Sequence, residues 1–150
     1  MIMKVLGIAV LAVATVMAAT SGTWASGGSG KGGTKLRAVL VASVTGGAKI
    51  GEAEYTTKLK NGIAIRRLEV EVDQLASPVG TVLKILVNGV SVGTATVVAG
   101  DADNDGPAGA VGNEAKLVLQ TPKNTVPTIV VGSTITICDP NGIVFASGTF

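Results

Sequence analysis

The sequence predicts an all-β domain, built as an antiparallel β-sandwich of about seven to eight strands. First, three Asn-Gly pairs, at 61–62, 88–89 and 141–142, each separate two runs of alternating apolar and polar residues. Asn-Gly favours a two-residue hairpin because a type I′ turn needs positive φ at both central positions. Second, aliphatic residues and threonine dominate the composition, with 21 glycines and only 3% aromatic residues. Such a composition suits many short strands joined by turns.

The N-terminal segment predicts a signal peptide that covers residues 1–25. Lys4 supplies the positive charge that precedes the apolar run Val5–Ala19. That run is shorter than the roughly 20 apolar residues of a membrane span and is typical of a secretory signal. Thr23-Trp24-Ala25 places small residues at both key positions of a cleavage site, so the mature chain is expected to begin at Ser26.

Two alternatives to this cleavage stay open at the level of sequence. The cut could fall after Ala18 or Ala19, or the segment could remain uncleaved as an anchor. No cysteine follows the apolar run, which argues against a lipid-anchored form. The expected location is therefore secreted, either extracellular or periplasmic, with no membrane span after cleavage.

The segment 26–33, SGGSGKGG, contains no core-forming residue and predicts a flexible leader. The β-domain is therefore expected to cover residues 34–150. Its first strand, Thr34–Val44, has apolar residues on both faces. Such a strand is either covered on both sides or pairs with another chain.

The second and third strands are predicted at Ile50–Leu59 and Ile63–Asp73, where alternation is clearest. Ile65 and Leu68 have opposite parity, which predicts a β-bulge near Arg66-Arg67. The residues expected to face inward are Ala53, Tyr55, Thr57 and Leu59 in the second strand and Leu68, Val70 and Val72 in the third.

The central hairpin is predicted over Thr81–Val98, around Asn88-Gly89, with Leu83, Ile85 and Val87 on the core face. A polar, glycine-rich loop follows at Gly100–Asn113. Eight evenly spaced strands favour an immunoglobulin-like sandwich, although the Cys–Trp–Cys core of antibody domains is absent. The last three strands are predicted at Glu114–Thr121, Ile129–Cys138, with a break at Gly132, and Ile143–Phe150.

Charge and cysteine content limit the classes of partner. Loss of Lys4 with the signal peptide lowers the net charge from +2 to +1, because 12 basic residues become 11 against 10 acids. That balance predicts no broad footprint for nucleic acid. Cys138 is the only cysteine, so no intramolecular disulfide can form. It is interpreted as a small strand residue, with intermolecular pairing as the alternative.

The segment 101–106, DADNDG, matches the start of a calcium loop, in which alternate carboxylates converge on one cation. Asp101, Asp103 and Asp105 are the predicted ligands, and calcium is the predicted cofactor. The twelfth loop position is Gly112 instead of Glu, so Glu114, two residues later, is the predicted fourth ligand. The alternative is a solvated acidic turn whose side chains cap their own backbone.

Catalytic chemistry has little support in the residues, and no enzyme is predicted. The chain contains no histidine, so neither a Ser–His–Asp triad nor a His-ligated metal centre can form. The carboxylates Glu52, Glu54, Glu69 and Glu71 line one surface if the second and third strands pair through Asn61-Gly62. A solvated sheet face of mixed charge, with Lys58, Lys60 and Arg67 nearby, is the expected meaning. A hydrolase without histidine is kept only as a remote alternative.

The chain resembles small secreted bacterial all-β domains of uncharacterised function. The segments that carry the resemblance are GEAEY at 51–55, RRLEVEVDQL at 66–75, GTVLKILVNGVSVGT at 80–94, EAKLVLQT at 114–121, VP at 126–127 and ASGTF at 146–150. Residues 51–75 also resemble the chordin-type repeat, without its His-rich segment. The resemblance implies a β-fold and secretion, and it implies no catalytic residue.

These observations predict a secreted, non-enzymatic β-sandwich with a structural or binding role at the bacterial cell surface or in the extracellular matrix. Its partner would be an unidentified protein or matrix component. The alternative is a subunit of a secreted filament, which self-associates when one chain adds a strand to a neighbour's sheet. Thr34–Val44 would be the donated strand in that case.

Overall fold

The computed structural model describes residues 33–43, 47–100 and 112–150. Strands account for 66% of the described residues, and these residues contain no helix. The all-β class and the antiparallel pairing are therefore confirmed. No part of the described chain forms a helix long and apolar enough to cross a membrane.

In the described ranges, nine strands form one antiparallel sheet in the order β5-β4-β8-β9-β1-β2-β3-β7-β6. One more strand is present than the eight predicted, because the short β6 follows β5 directly. The strands are β1 (Gly33–Ala42), β2 (Lys49–Lys60), β3 (Ile63–Leu75), β4 (Val82–Val87), β5 (Val90–Thr96), β6 (Val98–Ala99), β7 (Asn113–Gln120), β8 (Thr134–Cys138) and β9 (Val144–Thr149).

The sheet curls until it is nearly barrel-shaped. β1 pairs with β2 over its whole length but with β9 only at Val41 and Ala42, so the sheet bends at that point. On the other side, β5 approaches β7 closely: a Cβ on Gly93 would lie 3.0 Å from a methyl carbon of Leu117. A larger residue at this position would require the Leu117 side chain to move by a few tenths of an ångström.

The pairing of β2 with β3 corrects one prediction. Their register is unbroken from Gly51↔Val72 to Lys60↔Ile63, so the bulge predicted near Arg66-Arg67 is wrong. The irregularity lies instead in the pairing of β3 with β7, beyond Val72, where Gln74 has a φ of 55°. A residue with positive φ cannot continue the ladder, which explains the shift in register.

The central hairpin forms as predicted. Asn88 and Gly89 both have positive φ, at 50° and 78°, as a type I′ turn requires. Leu83, Ile85 and Val87 are buried, whereas Val90 beyond the turn is exposed. β4 lies between β5, with which it pairs over its whole length, and β8, with which it pairs from Lys84 to Val87.

The third Asn-Gly pair closes a longer loop between β8 and β9. Only Gly142 has positive φ, and Asp139 organises the loop by accepting a 2.8 Å hydrogen bond from the Ile143 N–H. Strand β8 begins at Thr134, five residues after the predicted start at Ile129. The left-handed backbone at Gly132, with a φ of 91°, keeps the preceding residues out of the sheet.

The core is almost entirely aliphatic and lies within the curled sheet. Leu68, Val70 and Val72 are buried as predicted, whereas Leu59, predicted to face inward, is exposed. Phe150, at the end of the chain, is also buried. Every buried side-chain nitrogen or oxygen in the described ranges has a hydrogen-bond partner. The largest fully buried side chains are Leu40, Leu68, Val70, Val72, Leu83, Ile85, Val97, Ile135 and Ile137.

Candidate functional site

The densest group of charged side chains lies on the outer surface of β1, β2, β3 and β7, and we call it the charged face. Its members alternate along each strand with core residues, because successive side chains of a strand point to opposite sides. It consists of Lys35, Arg37, Lys49, Glu52, Glu54, Arg67, Glu69, Glu71, Asp73 and Lys116.

Four glutamates occupy the centre of the charged face. The register of β2 and β3 places Glu52 opposite Glu71 and Glu54 opposite Glu69. This confirms that the strands pair through Asn61-Gly62 and bring these carboxylates onto one surface. Like charges in directly opposite positions destabilise a sheet, so the arrangement requires cations beside it.

Strand β1 supplies cations on one side of the glutamates. Lys35 Nζ lies 2.7 Å from a carboxylate oxygen of Glu54. Arg37 donates two hydrogen bonds to one oxygen of Glu52, and Lys49 donates to the other oxygen. Glu52 is therefore held from two directions.

The opposite flank is held mainly by Lys116 of β7. Its Nζ lies 2.9 Å from Glu69 and 3.2 Å from Glu71, so one cation bridges two carboxylates. Arg67, on β3 itself, adds a contact of 2.8 Å to Glu69. The four glutamates thus lie between the cations of β1 on one side and Lys116 of β7 on the other.

These contacts set the pKa values of the central carboxylates. Partial burial pushes the pKa of Glu52 upward, but the hydrogen bonds from Arg37 and Lys49 outweigh it, and the pKa is lowered. The hydrogen bond from Lys116 lowers the pKa of Glu69, against a smaller opposing effect of burial. The same bond, with that to Glu71, raises the pKa of Lys116. All three groups are therefore held in their charged forms at neutral pH.

Asp73 behaves in the opposite way. Burial and the negative charge of Glu71 raise its pKa, and Lys49 and Lys116 only partly offset them. It lies at the margin of the charged face and forms none of the ion pairs given above. This carboxylate therefore gains a proton at a higher pH than an ordinary aspartate does.

The geometry of the charged face favours a supporting role over proton transfer. A catalytic general acid needs a carboxyl group with a raised pKa, whereas Glu52 and Glu69 have lowered values. Each of their oxygens is held by a cation, one from a neighbouring strand and one from the same strand. The ion pairs of the face therefore link β1 to β2 and β7 to β3, with each exposed pair contributing about 0.2–1 kcal/mol.

Only one of the predicted metal ligands lies in the described part of the chain. Asp101, Asp103 and Asp105 fall outside the described residues. Glu114 lies in β7, opposite Val98 of β6, and is half-buried. Within the described ranges no three carboxylate or thiol groups converge as a metal site.

The cations of the charged face were only partly predicted from the sequence. Arg67 is one of them, as expected, but Lys58 and Lys60 form no ion pair with any described residue. Lys49 and Lys116 take part instead. Lys116 alternates with the inward residues of its strand, which marks it as outward, but nothing in the sequence says that β7 lies beside β3.

Two open depressions lie at the edges of the charged sheet. One, of about 560 Å³, lies beside the turn after β7 and includes Val118 and Lys123. The other, of about 400 Å³, lies where β1 begins against β2 and includes Lys35 and Leu59. Both are open to solvent, and neither contains an aromatic side chain that could stack on a sugar.

Comparisons with known proteins give no match: no family model, no curated protein and no solved structure resembles this chain significantly.

Proposed function

We propose that the protein is a secreted, non-enzymatic β-sandwich of immunoglobulin-like architecture, with a structural or binding role at the bacterial cell surface or in the extracellular matrix. The charged face carries the proposal. Glu52 and Glu69 at its centre have lowered pKa values and are held by cations on both carboxylate oxygens, as in a scaffold whose outer surface is stabilised for exposure to solvent. The curled sheet with an aliphatic core supports the sandwich description.

Export can be tested by expressing the full chain in a bacterial host and identifying its N-terminus in each fraction by mass spectrometry. The expected product begins at Ser26 and is found outside the cytoplasm. An Ala25→Arg variant serves as a matched control, because a small residue is needed beside the cleaved bond. An intact Met1 on a cytoplasmic product of the parent chain would contradict the proposal.

The incompletely paired edge of β1 favours a second candidate function, in which the protein is the subunit of a filament that assembles by strand addition. β1 pairs with β2 at nine positions but with β9 at only two. In the described part of the chain, no strand pairs with residues 33–37 on the side away from β2. An open edge of this kind can accept a strand from a second copy.

The filament candidate is testable with one substitution. The Thr34 N–H points toward β2, where Thr57 Oγ1 accepts it at 3.0 Å, so the N–H of the next residue, Lys35, points toward the open edge. Lys35→Pro removes that donor and leaves the β1–β2 hydrogen bonds in place. If strands are added there, light scattering will show concentration-dependent oligomers for the parent and none for the variant. A parent that stays monomeric at all concentrations excludes the filament.

Calcium binding in the segment 101–106 also remains a proposal, with Asp101, Asp103, Asp105 and Glu114 as ligands. Without a bidentate Glu at the twelfth position, the expected affinity is on the order of 10⁻⁴–10⁻³ M. Millimolar calcium should then raise the melting temperature, and Asp103→Ala should abolish the rise. No calcium-dependent shift in the parent would favour the solvated acidic turn.

A further inference from the structure

The end of the β2–β3 hairpin, residues 58–66, extends beyond the strands that flank it, and we call it the hairpin tip. In the described part of the chain, β1 pairs with β2 as far as Lys58 and β7 pairs with β3 as far as Arg67, and Arg66 still exchanges two hydrogen bonds with Thr121. The pairs Leu59↔Ala64 and Lys60↔Ile63 lie past these contacts and, among the described residues, pair only with each other. Two residues per strand therefore project by about 7 Å, at roughly 3.3 Å per residue.

The hairpin tip exposes apolar side chains on both of its surfaces. Leu59 is 57% exposed and Ile63 is 66% exposed, and every residue from Lys58 to Ala64 is exposed. Leu59 continues the core face of β2, whereas Ile63 lies on the outer face beside Lys60. Aliphatic side chains on both sides of a projecting hairpin form a wedge that no described part of the chain covers.

The charge of the hairpin tip has one sign. No Asp or Glu occurs between Glu54 and Glu69, whereas Lys58, Lys60 and Arg66 lie on the tip. None of these three cations forms an ion pair among the described residues, in contrast to the five cations of the charged face. The turn after β7 adds Lys123 nearby, since the N–H of its neighbour Thr121 donates to the Arg66 carbonyl at 3.0 Å.

We propose that the hairpin tip docks on the surface of a bilayer rich in anionic lipid. Ile63 and Leu59 would enter the interface between headgroups and acyl chains, while Lys58, Lys60 and Arg66 contact the headgroups. Lysine suits this arrangement because its alkyl stem packs along apolar surface while its ammonium group stays at the polar level. A soluble polyanion would use the cations but would not account for the exposed aliphatic side chains between them.

This inference goes beyond the proposed function, because it needs only the folded domain and holds whether or not the chain is exported. The small net charge of the whole chain, +2, does not reveal the local positive charge of the tip. Five basic residues are neutralised on the charged face, and of the five other basic residues in the described ranges all but Lys84 lie on or near the tip.

The test uses a fluorophore that reports the polarity around a single side chain. Ile63→Cys in the full chain carries the probe at the tip, and Ile143→Cys is the matched control. Ile143 is 63% exposed and precedes β9, which starts at the opposite end of the sheet because β9 runs antiparallel to β1. Cys138 is 5% exposed and will not compete for the label in the folded protein.

Vesicles of equal parts phosphatidylglycerol and phosphatidylcholine should shift the emission of the Ile63 probe to the blue, whereas pure phosphatidylcholine should not. The Ile143 probe should not respond to either. Lys58→Gln with Lys60→Gln should abolish the shift, and Lys84→Gln, a cation of β4 whose Nζ donates to the Pro140 carbonyl at 2.9 Å, should leave it unchanged. Added salt should weaken the response.

Two results would overturn the proposal. One is an Ile63 probe that does not respond to the anionic vesicles, or that responds no more than the Ile143 probe. The other is binding of heparin with no shift at the Ile63 probe and no competition from anionic vesicles, which would identify the tip as a site for a soluble polyanion.

Discussion

The β2–β3 and β4–β5 hairpins close through the same Asn-Gly pair with nearly the same backbone. The φ values are 53° and 78° at Asn61 and Gly62, and 50° and 78° at Asn88 and Gly89. Beside the second turn, Val87 is buried and its partner Val90 is exposed, whereas Lys60 and Ile63 beside the first turn are both exposed. Two turns of nearly the same backbone thus differ in that only the second has a core residue directly beside it.

The difference arises from what lies next to each turn. The Asn88 N–H donates to the Thr134 carbonyl, and Asn88 Oδ1 accepts from the Thr134 N–H, both at 2.9 Å. Asn88 therefore connects the turn to the start of β8. The side chain of Asn61 makes no hydrogen bond with any described residue. The Asn-Gly pair decides the geometry of a turn, and the neighbouring strand decides whether that turn is anchored.

The largest expected effect contrasts two isoleucines of these hairpins. Ile85→Ala should lower the free energy of unfolding by about 2–5 kcal/mol, because Ile85 is 1% exposed and its loss leaves a cavity. Ile63→Ala should change it by less than about 0.5 kcal/mol, because the side chain is already in solvent. Urea denaturation measures both. Equal losses would mean that the tip is packed against another part of the chain.

The second prediction concerns Asn88, which connects its turn to the start of β8. Asn88→Gly keeps the positive φ accessible and the backbone hydrogen bond to the Thr134 carbonyl, but removes the Oδ1 that accepts from the Thr134 N–H, and should cost about 0.5–1.5 kcal/mol. Asn61→Gly is the matched control and should cost only a few tenths of a kcal/mol, from the added freedom of the unfolded chain. If thermal unfolding shows the two variants to be equally stable, Asn88 does not anchor its hairpin.

A third prediction concerns pH and compares the charged face with the tip on the same two strands. The pKa values of Glu52 and Glu69 are lowered by folding, so their contribution to stability is present above the unfolded pKa, about 4.3, and is lost as the pH falls through the lowered values. Asp73 has the opposite sign because its pKa is raised, and its contribution favours folding only at low pH.

Acid unfolding of charge variants will separate these contributions. Glu69→Gln should reduce stability at neutral pH and flatten its decline below about pH 4.3. Lys60→Gln, a change of one charge on the tip, should leave the pH profile as it is. A Glu69→Gln protein with the same acid limb as the parent would show that the ion pairs of the charged face contribute nothing measurable.

The smallest expected difference between the two hairpins is in how often their turns open locally and expose backbone amides to solvent. The amides of residues 59–64 should exchange with solvent faster than those of residues 86–91, because the tip pairs only with itself and opens without breaking other strands. Hydrogen exchange followed by mass spectrometry of peptides measures this directly. Similar protection at both turns would indicate that the tip is covered in solution.

Local chemistry was enough to predict most strands and turns from the sequence. Period-two alternation identified the core residues Leu68, Val70 and Val72, since a side chain's face depends only on its position along its own strand. Asn61-Gly62 and Asn88-Gly89 were recognisable because positive φ is a property of the dipeptide. The carboxylates Glu52 and Glu71 were placed on one surface for the same reason, since a two-residue turn sets the register of its own hairpin.

Features that depend on how far neighbouring strands extend needed the tertiary structure. Leu59 follows the inward pattern of β2 yet is exposed, because the described part of β1 pairs with β2 only up to Lys58 and no other described strand lies beside Leu59 except β3. The pairing of Lys116 with Glu69 required β7 to return beside β3 across 45 residues or more of chain, which no local pattern encodes. By itself the sequence determined which way each side chain points, because that is set within one strand. Only the folded sheet decided which of those side chains are covered, because coverage depends on contacts between strands distant in the chain.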